Sequence, residues 1–160
     1  MEADDRVVLT IIRRCMVARI ATLSRNGRPS INPLYFVYVN KRIWLGTPDW
    51  TLAVRNVKAD ERVSVLFEAE RDPHERRVLR ISGHASIREE REVLRSYNLR
   101  VARKYILTPG GVRNALTHLR QLSIRRYYVA QNAQKGRPCV IEVTPEQVEL
   151  LINSNSGVAA

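Results

Sequence analysis

Few side chains in this 160-residue sequence are of a type and spacing that carries out chemistry unaided. Cys15 and Cys139 are too few and too far apart for metal-ligand spacing, and they read as free thiols. His74, His84 and His118 form no pair with a carboxylate or thiol at helical or strand spacing, so surface or packed histidines are the better reading than zinc ligands. Walker loop, dinucleotide fingerprint and nucleophile elbow are all missing from the sequence. No side chain stands out as a general acid or base.

Charge is the next chemical signal. The chain carries 27 Lys plus Arg against 16 Asp plus Glu, a formal net charge of +11. Residues 76–126 hold thirteen of the basic residues and three carboxylates (Glu89, Glu90, Glu92), so nearly the whole excess sits in one third of the chain. Such a field attracts phosphates, polycarboxylates or nucleic acid. Arginine predominates, however, and arginines also cover apolar surface and form structural ion pairs. A solvated face is the first reading of the segment, an anionic ligand the second, and nucleic acid the last, since no basic and aromatic stacking face can be located.

The elements that would position any site follow from periodicity. With 44% apolar and 27% charged residues spread along the chain, one globular domain is expected. The longest apolar runs, such as 34–39, fall far short of the roughly 20 residues of a spanning helix. The acidic start Met1-Glu2-Ala3-Asp4-Asp5 is unlike a secretory signal, which leads to an expectation of a cytoplasmic protein. Residues 4–14 predict a short amphipathic helix with acids first and arginines last. Residues 16–23 predict a strand, Asn26-Gly27 a tight turn, and residues 29–39 a second strand that is apolar on both faces. That double apolarity suits a closed barrel or a strand covered by a partner subunit. Asn40-Lys41 turns the chain into a third strand, 42–47, after which Asp49 or Thr51 can cap a helix ending near Val57. Strands 63–68 and 78–87 follow, joined by the polar loop 70–75. Residues 89–107 change to a helical period, with Leu94, Tyr97, Val101 and Tyr105 on one stripe and Arg91, Arg95, Arg100, Arg103 and Lys104 off it. A second helix is predicted behind Thr108 and Pro109, with the stripe Val112, Ala115, Leu119, Leu122. A basic connection, 123–136, leads to a last strand, 138–144. The domain is expected to span 1–152 with a helical insertion at about 89–122, followed by a frayed tail, 153–160.

Several strings in this order resemble the pyridoxamine 5'-phosphate oxidase-like family of flavin-binding split β-barrels. They are ARIATLSRN (18–26), GRP (27–29), NPLYFVY (32–38), IWLGT (43–47), VRNV (54–57) ahead of VSV (63–65), and ISGHA (81–85). The resemblance covers about half the chain. It implies a mainly β fold with added helices, a six-stranded antiparallel split β-barrel of Greek-key type, assembled as a homodimer. It also implies FMN, or the deazaflavin coenzyme F-420, in a groove between subunits, and so a flavin-dependent oxidoreductase. A non-catalytic binding protein for flavin, haem or another aromatic anion is the alternative on the same fold.

By the same resemblance, Asn32, Pro33, Leu34 and Tyr35 match the strand that runs beside the isoalloxazine ring. Thr47, Trp50, Thr51 and Arg55 match the phosphate end, where two hydroxyls, the N–H groups of a helix and one cation can meet an anion. One departure stands out. Ala53 occupies the place where the family usually carries a phosphate-contacting lysine, and its neighbour, often basic, is Leu52. The missing charge-assisted hydrogen bond is worth about 1.5 to 3 kcal/mol, roughly tenfold to a hundredfold in affinity. Restoring a cation with Ala53→Lys is therefore expected to tighten FMN. The basic helices of the insertion are expected to supply the missing positive potential from Arg95, Arg100, Arg103 and Lys104.

Overall fold

Alternation of apolar and polar residues builds the sheet, and every second residue of β1 (Ala18–Leu23), β4 (Arg42–Pro48) and β5 (Arg62–Glu68) is buried. A computed structural model describes residues 5–68, 77–106 and 136–152. Its remaining strands are β2 (Pro29–Leu34), β3 (Phe36–Val39), β6 (Arg77–Arg88) and β7 (Pro138–Ile152). The helices are α1 (Arg6–Arg14), α2 (Leu52–Ala59) and α3 (Arg91–Val101), the last continuing as a π-helical turn, Ala102–Ile106. The predicted second helix of the insertion, nearly all of the basic connection 123–136, the loop 70–75 and the tail lie outside the described residues.

The seven strands among the described residues form one antiparallel sheet in the order β2-β1-β5-β6-β7-β4-β3. The two end strands are consecutive in the chain, with only Tyr35 between them. A sheet whose opposite ends are joined by one residue has to curl, and Gly46 donates its N–H to Tyr35 O across the join at 3.3 Å. This closure corrects the expected strand count of six. The continuous strand predicted over 29–39 divides at Tyr35, because its first half pairs with β1 and its second half with β4. The last strand also runs past 144 to Ile152 and pairs along the whole of β6, with a bulge between Ser82 and Gly83. A Cβ on Gly83 would run into Thr144 O, so only glycine admits β7 this closely.

Phe36, Phe67, Ile20, Ile43, Leu45, Leu79, Ile81 and Ile141 fill the interior, where α1 adds Val8 and Ile11 and α2 adds Ala53 and Val54. A smaller cluster on the outer surface gathers Val37, Val39, Tyr97 and Val140 beneath α3. Beside it the buried Glu142 carboxylate accepts from Arg42 (2.8 Å), Arg88 (2.9 Å) and the Trp44 indole (2.7 Å), which satisfies a charge that could not stay there alone. Asn40 and Lys41 both have positive φ, 48° and 63°, as the tight β3–β4 turn demands.

Candidate functional site

The start of α2 is set by Thr51, whose extended backbone makes it the N-cap. Its side chain does not cap the helix. Thr51 Oγ1 instead donates to Pro48 O at 3.0 Å, and Thr47 Oγ1 donates to Thr51 Oγ1 at 3.2 Å. Asp49 is occupied as well, accepting the Arg137 N–H at 3.0 Å and so tying this corner to the start of β7. The first-turn N–H groups of α2 have no partner within the helix, and the positive end of its dipole lies at Trp50 and Thr51. Trp50 is half exposed and abuts Gly136, where a Cβ would meet the indole. Arg55 is exposed one turn further on.

Along β2 the side chains alternate. Ser30, Asn32 and Leu34 are half-buried, whereas Ile31, Pro33 and Tyr35 are exposed, Ile31 at 60% and Tyr35 at 59%. As the end strand of the sheet, β2 presents a row of backbone groups that no strand among the described residues pairs. Asn32 Oδ1 is buried without a hydrogen-bond partner, one of two such side-chain atoms among the described residues. The other, His84 Nδ1, has a Glu61 carboxylate oxygen at 3.3 Å.

The structure therefore places the eight predicted residues on two segments, Asn32, Pro33, Leu34 and Tyr35 at the β2 end and Thr47, Trp50, Thr51 and Arg55 between β4 and α2. Two links hold the segments together. The first is the Gly46 to Tyr35 bond, adjacent to Thr47. The second is a buried polar triangle in which Asn56 Nδ2 donates to Thr22 Oγ1 and to Ser30 Oγ, both at 3.0 Å, while those hydroxyls lie 3.0 Å apart. Asn56 is 3% exposed and Thr22 2% exposed. Asn56 appeared in the sequence only as part of a string. Its signal was an amide on the face of α2 that also carries Ala53 and Val57, where a polar group has to find partners.

Two tyrosines of α3 and its π-helical turn also reach this site. Tyr97 donates its hydroxyl to Tyr35 O at 3.1 Å. The Tyr105 hydroxyl donates to Phe36 O at 2.9 Å and accepts the Phe36 N–H at 3.2 Å. Its ring meets that of Tyr35 edge to face, with centroids 5.0 Å apart. Burial pushes both phenols up to about 12. Gly46 makes room for Tyr97, since a Cβ there would strike the phenol ring. Thus the stripe predicted as plain apolar packing also satisfies the backbone where the strand breaks.

Arg95, Arg100 and Arg103 are exposed on the flanks, as the helical period requires. Lys104 departs from that expectation. Its ammonium lies over the Phe36 ring, 3.4 Å from the centroid, and burial lowers its pKa to about 8. Ala53 supplies a further correction, because its methyl group is 1% exposed and packs in the main core. A lysine at 53 would start from an apolar interior, whereas Leu52, 44% exposed, is the open position of that pair. A groove of about 400 Å³ lies at the other end of α2, lined by Val57, Lys58, Glu61 and Ser86 among others, and none of the predicted site residues line it.

An antiparallel β half-barrel with helices added around it defines the split-barrel class. The family model described as pyridoxamine 5'-phosphate oxidase matches residues 5–152, and the chain belongs to that family. Solved structures of the same fold include a conserved hypothetical protein of Mycobacterium tuberculosis, 18% identical with a TM-score of 0.70, covering 98% of this chain and 94% of that one. An F-420 reductase is 19% identical with a TM-score of 0.60, covering 88% and 94%. HutZ, the heme storage protein from Vibrio cholerae, is 17% identical with a TM-score of 0.63, covering 95% of each chain. Among curated proteins nothing matches the chain.

Proposed function

We propose that the chain is a flavin-dependent oxidoreductase that binds FMN, or the deazaflavin coenzyme F-420, at the interface of a homodimer. The observation that carries this reading is the buried, unpartnered Asn32 Oδ1 on the inward face of β2, a strand whose opposite face exposes Ile31, Pro33 and Tyr35. A flavin ring offers an N–H donor on its polar edge, and its apolar body needs a surface such as this one. Asn32 and the unpaired backbone of β2 would hold the ring edge, with Pro33, Leu34 and Tyr35 beside it. The first-turn N–H groups of α2, the hydroxyls of Thr47 and Thr51, and Arg55 would hold the phosphate, Trp50 standing next to them. For that purpose one threonine hydroxyl has to turn away from its present acceptor, a rotation about a single bond. When bound, such a cofactor supplies hydride transfer, and the protein contributes orientation and shielding from water. A second subunit laid over Ile31 and Tyr35 would provide that shielding. No helix among the described residues is long and apolar enough to cross a membrane, and a cytoplasmic location remains part of this reading.

The lack of a cation at Leu52 and Ala53 favours a second reading, a binding protein for haem or another aromatic anion that needs no phosphate anchor. HutZ shares the fold and is a heme storage protein. A visible spectrum of the purified protein separates the two, with bands expected near roughly 450 nm for flavin, 420 nm for deazaflavin and 400 nm for haem, and mass spectrometry of the released ligand identifies it. A haem band with no flavin in the released ligand would overturn the oxidoreductase reading.

A further inference from the structure

We propose that Asn56 is a positioning residue that fixes the first turn of α2 against the Asn32 end of β2, and so selects a ligand whose ring and phosphate are a set distance apart. The inference rests on the flavin reading and adds a determinant of specificity to it. Asn56 touches neither predicted half of the site. It stands five residues past Thr51, about 7.5 Å along the helix at 1.5 Å per residue. Its partner Ser30 stands two residues before Asn32 on the same face of β2, about 6.6 Å along the strand. The triangle is thus a short, rigid brace between the two halves.

The chemistry of the brace argues for position rather than cohesion. Replacing a buried polar group and its partners together by apolar groups is often nearly neutral for stability, so three polar side chains are not needed to glue a helix to a hairpin. Apolar contacts tolerate sliding, however, whereas hydrogen bonds are directional. Both amide hydrogens of Asn56 are committed to different strands of one hairpin, Thr22 on β1 and Ser30 on β2, which are direct cross-strand partners. Two acceptors at 3.0 Å leave the helix one allowed setting along its own axis.

The test compares FMN with riboflavin, which has the same ring and spacer but no phosphate. In the wild type FMN should bind more tightly. Asn56→Ala should weaken FMN about tenfold, the scale of one lost charge-assisted hydrogen bond, and leave riboflavin within about twofold. Ser30→Ala, which keeps the bond to Thr22, should shift the ratio in the same direction by less and serves if Asn56→Ala fails to fold. Equal losses for both flavins, or no loss for either, would show a merely structural role and overturn the proposal. A second readout needs no ligand. Hydrogen exchange over residues 51–59 should quicken in Asn56→Ala while β5 and β6 keep wild-type rates, and unchanged exchange would equally overturn it. If the wild type binds neither FMN nor riboflavin, the FMN form of the reading fails and the deazaflavin form is left, and exchange alone decides whether the brace holds α2.

Discussion

Removing one oxygen atom tests whether the π-helical turn after α3 holds the closure of the barrel. Tyr105→Phe keeps the ring, its edge-to-face contact with Tyr35 and its place beside Lys104. It deletes a hydroxyl that makes two bonds to the Phe36 backbone, 2.9 Å to the carbonyl and 3.2 Å from the N–H. Each such bond contributes about 1 kcal/mol net, so the expected loss is about 2 kcal/mol, and more if water cannot reach the orphaned groups. For a chain of this size that corresponds to a fall in Tm of about 4 to 8 °C. Urea denaturation at fixed protein concentration measures the loss directly, since assembly would otherwise shift the midpoint. Tyr97→Phe is the control. It removes one bond to Tyr35 O, which still accepts from Gly46, and should cost about half as much. A loss below about 0.5 kcal/mol for Tyr105→Phe would refute the reasoning, because surface changes alone produce effects of that size.

Lys104 makes stability depend on pH in a defined direction. Its folded pKa of about 8 lies below the ordinary lysine value, so between about 8 and 10.5 the unfolded chain binds the extra proton and wild-type stability rises with pH. Lys104→Met should lack that rise and be the more stable form at pH 7, as denaturation across this range would show. Above about 10 the buried phenols act oppositely, since Tyr97 and Tyr105 keep their protons to about 12 while the unfolded chain loses its own, and stability should fall. For the proposed homodimer, sedimentation should give about twice 18.4 kDa, and Ile31→Asp on the exposed face of β2 should shift the equilibrium to monomer. A wild type that stays monomeric at every concentration would rule it out. Leu52→Lys should tighten FMN by up to about tenfold in a salt-dependent way at little cost in stability, while Ala53→Lys should mainly lower the melting temperature. Equal melting temperatures for the two variants would contradict the burial of Ala53.

Local pattern made much of the fold legible. The period of two in β1, β4 and β5, the Asn40-Lys41 turn and the amphipathic α1 depend on neighbouring residues, and they stand close to where the pattern put them. Thr51, the N-cap, was one of the two positions that the pattern offered, beside Asp49, and the apolar character of both faces of 29–39 was legible for the same reason. What pattern could not show was how one such strand serves both ends of a sheet. The break at Tyr35 is a consequence of closure, which depends on β2 and β3, the partners of β1 and β4, lying at opposite ends of the strand order.

The site divides along the same line. The resemblance put Asn32, Thr47 and Thr51 on two segments, between which the Gly46 to Tyr35 bond and the contacts of Asn56 with Thr22 and Ser30 form links. It could not reveal that the Thr51 hydroxyl turns to Pro48, that Ala53 faces the core, or that Lys104 leaves its expected flank to cover Phe36. Nor could it show Asn56 bridging to Thr22 and Ser30, or tyrosines 62 and 69 residues away in sequence satisfying the backbone at Tyr35 and Phe36. By itself the sequence determined most of the described elements, their order and the family to which they belong, because these are written in residue type and short spacing. Only the tertiary structure decided which polar groups meet, since a hydrogen bond depends on distance and direction in space, and those are set by the packing of the whole sheet.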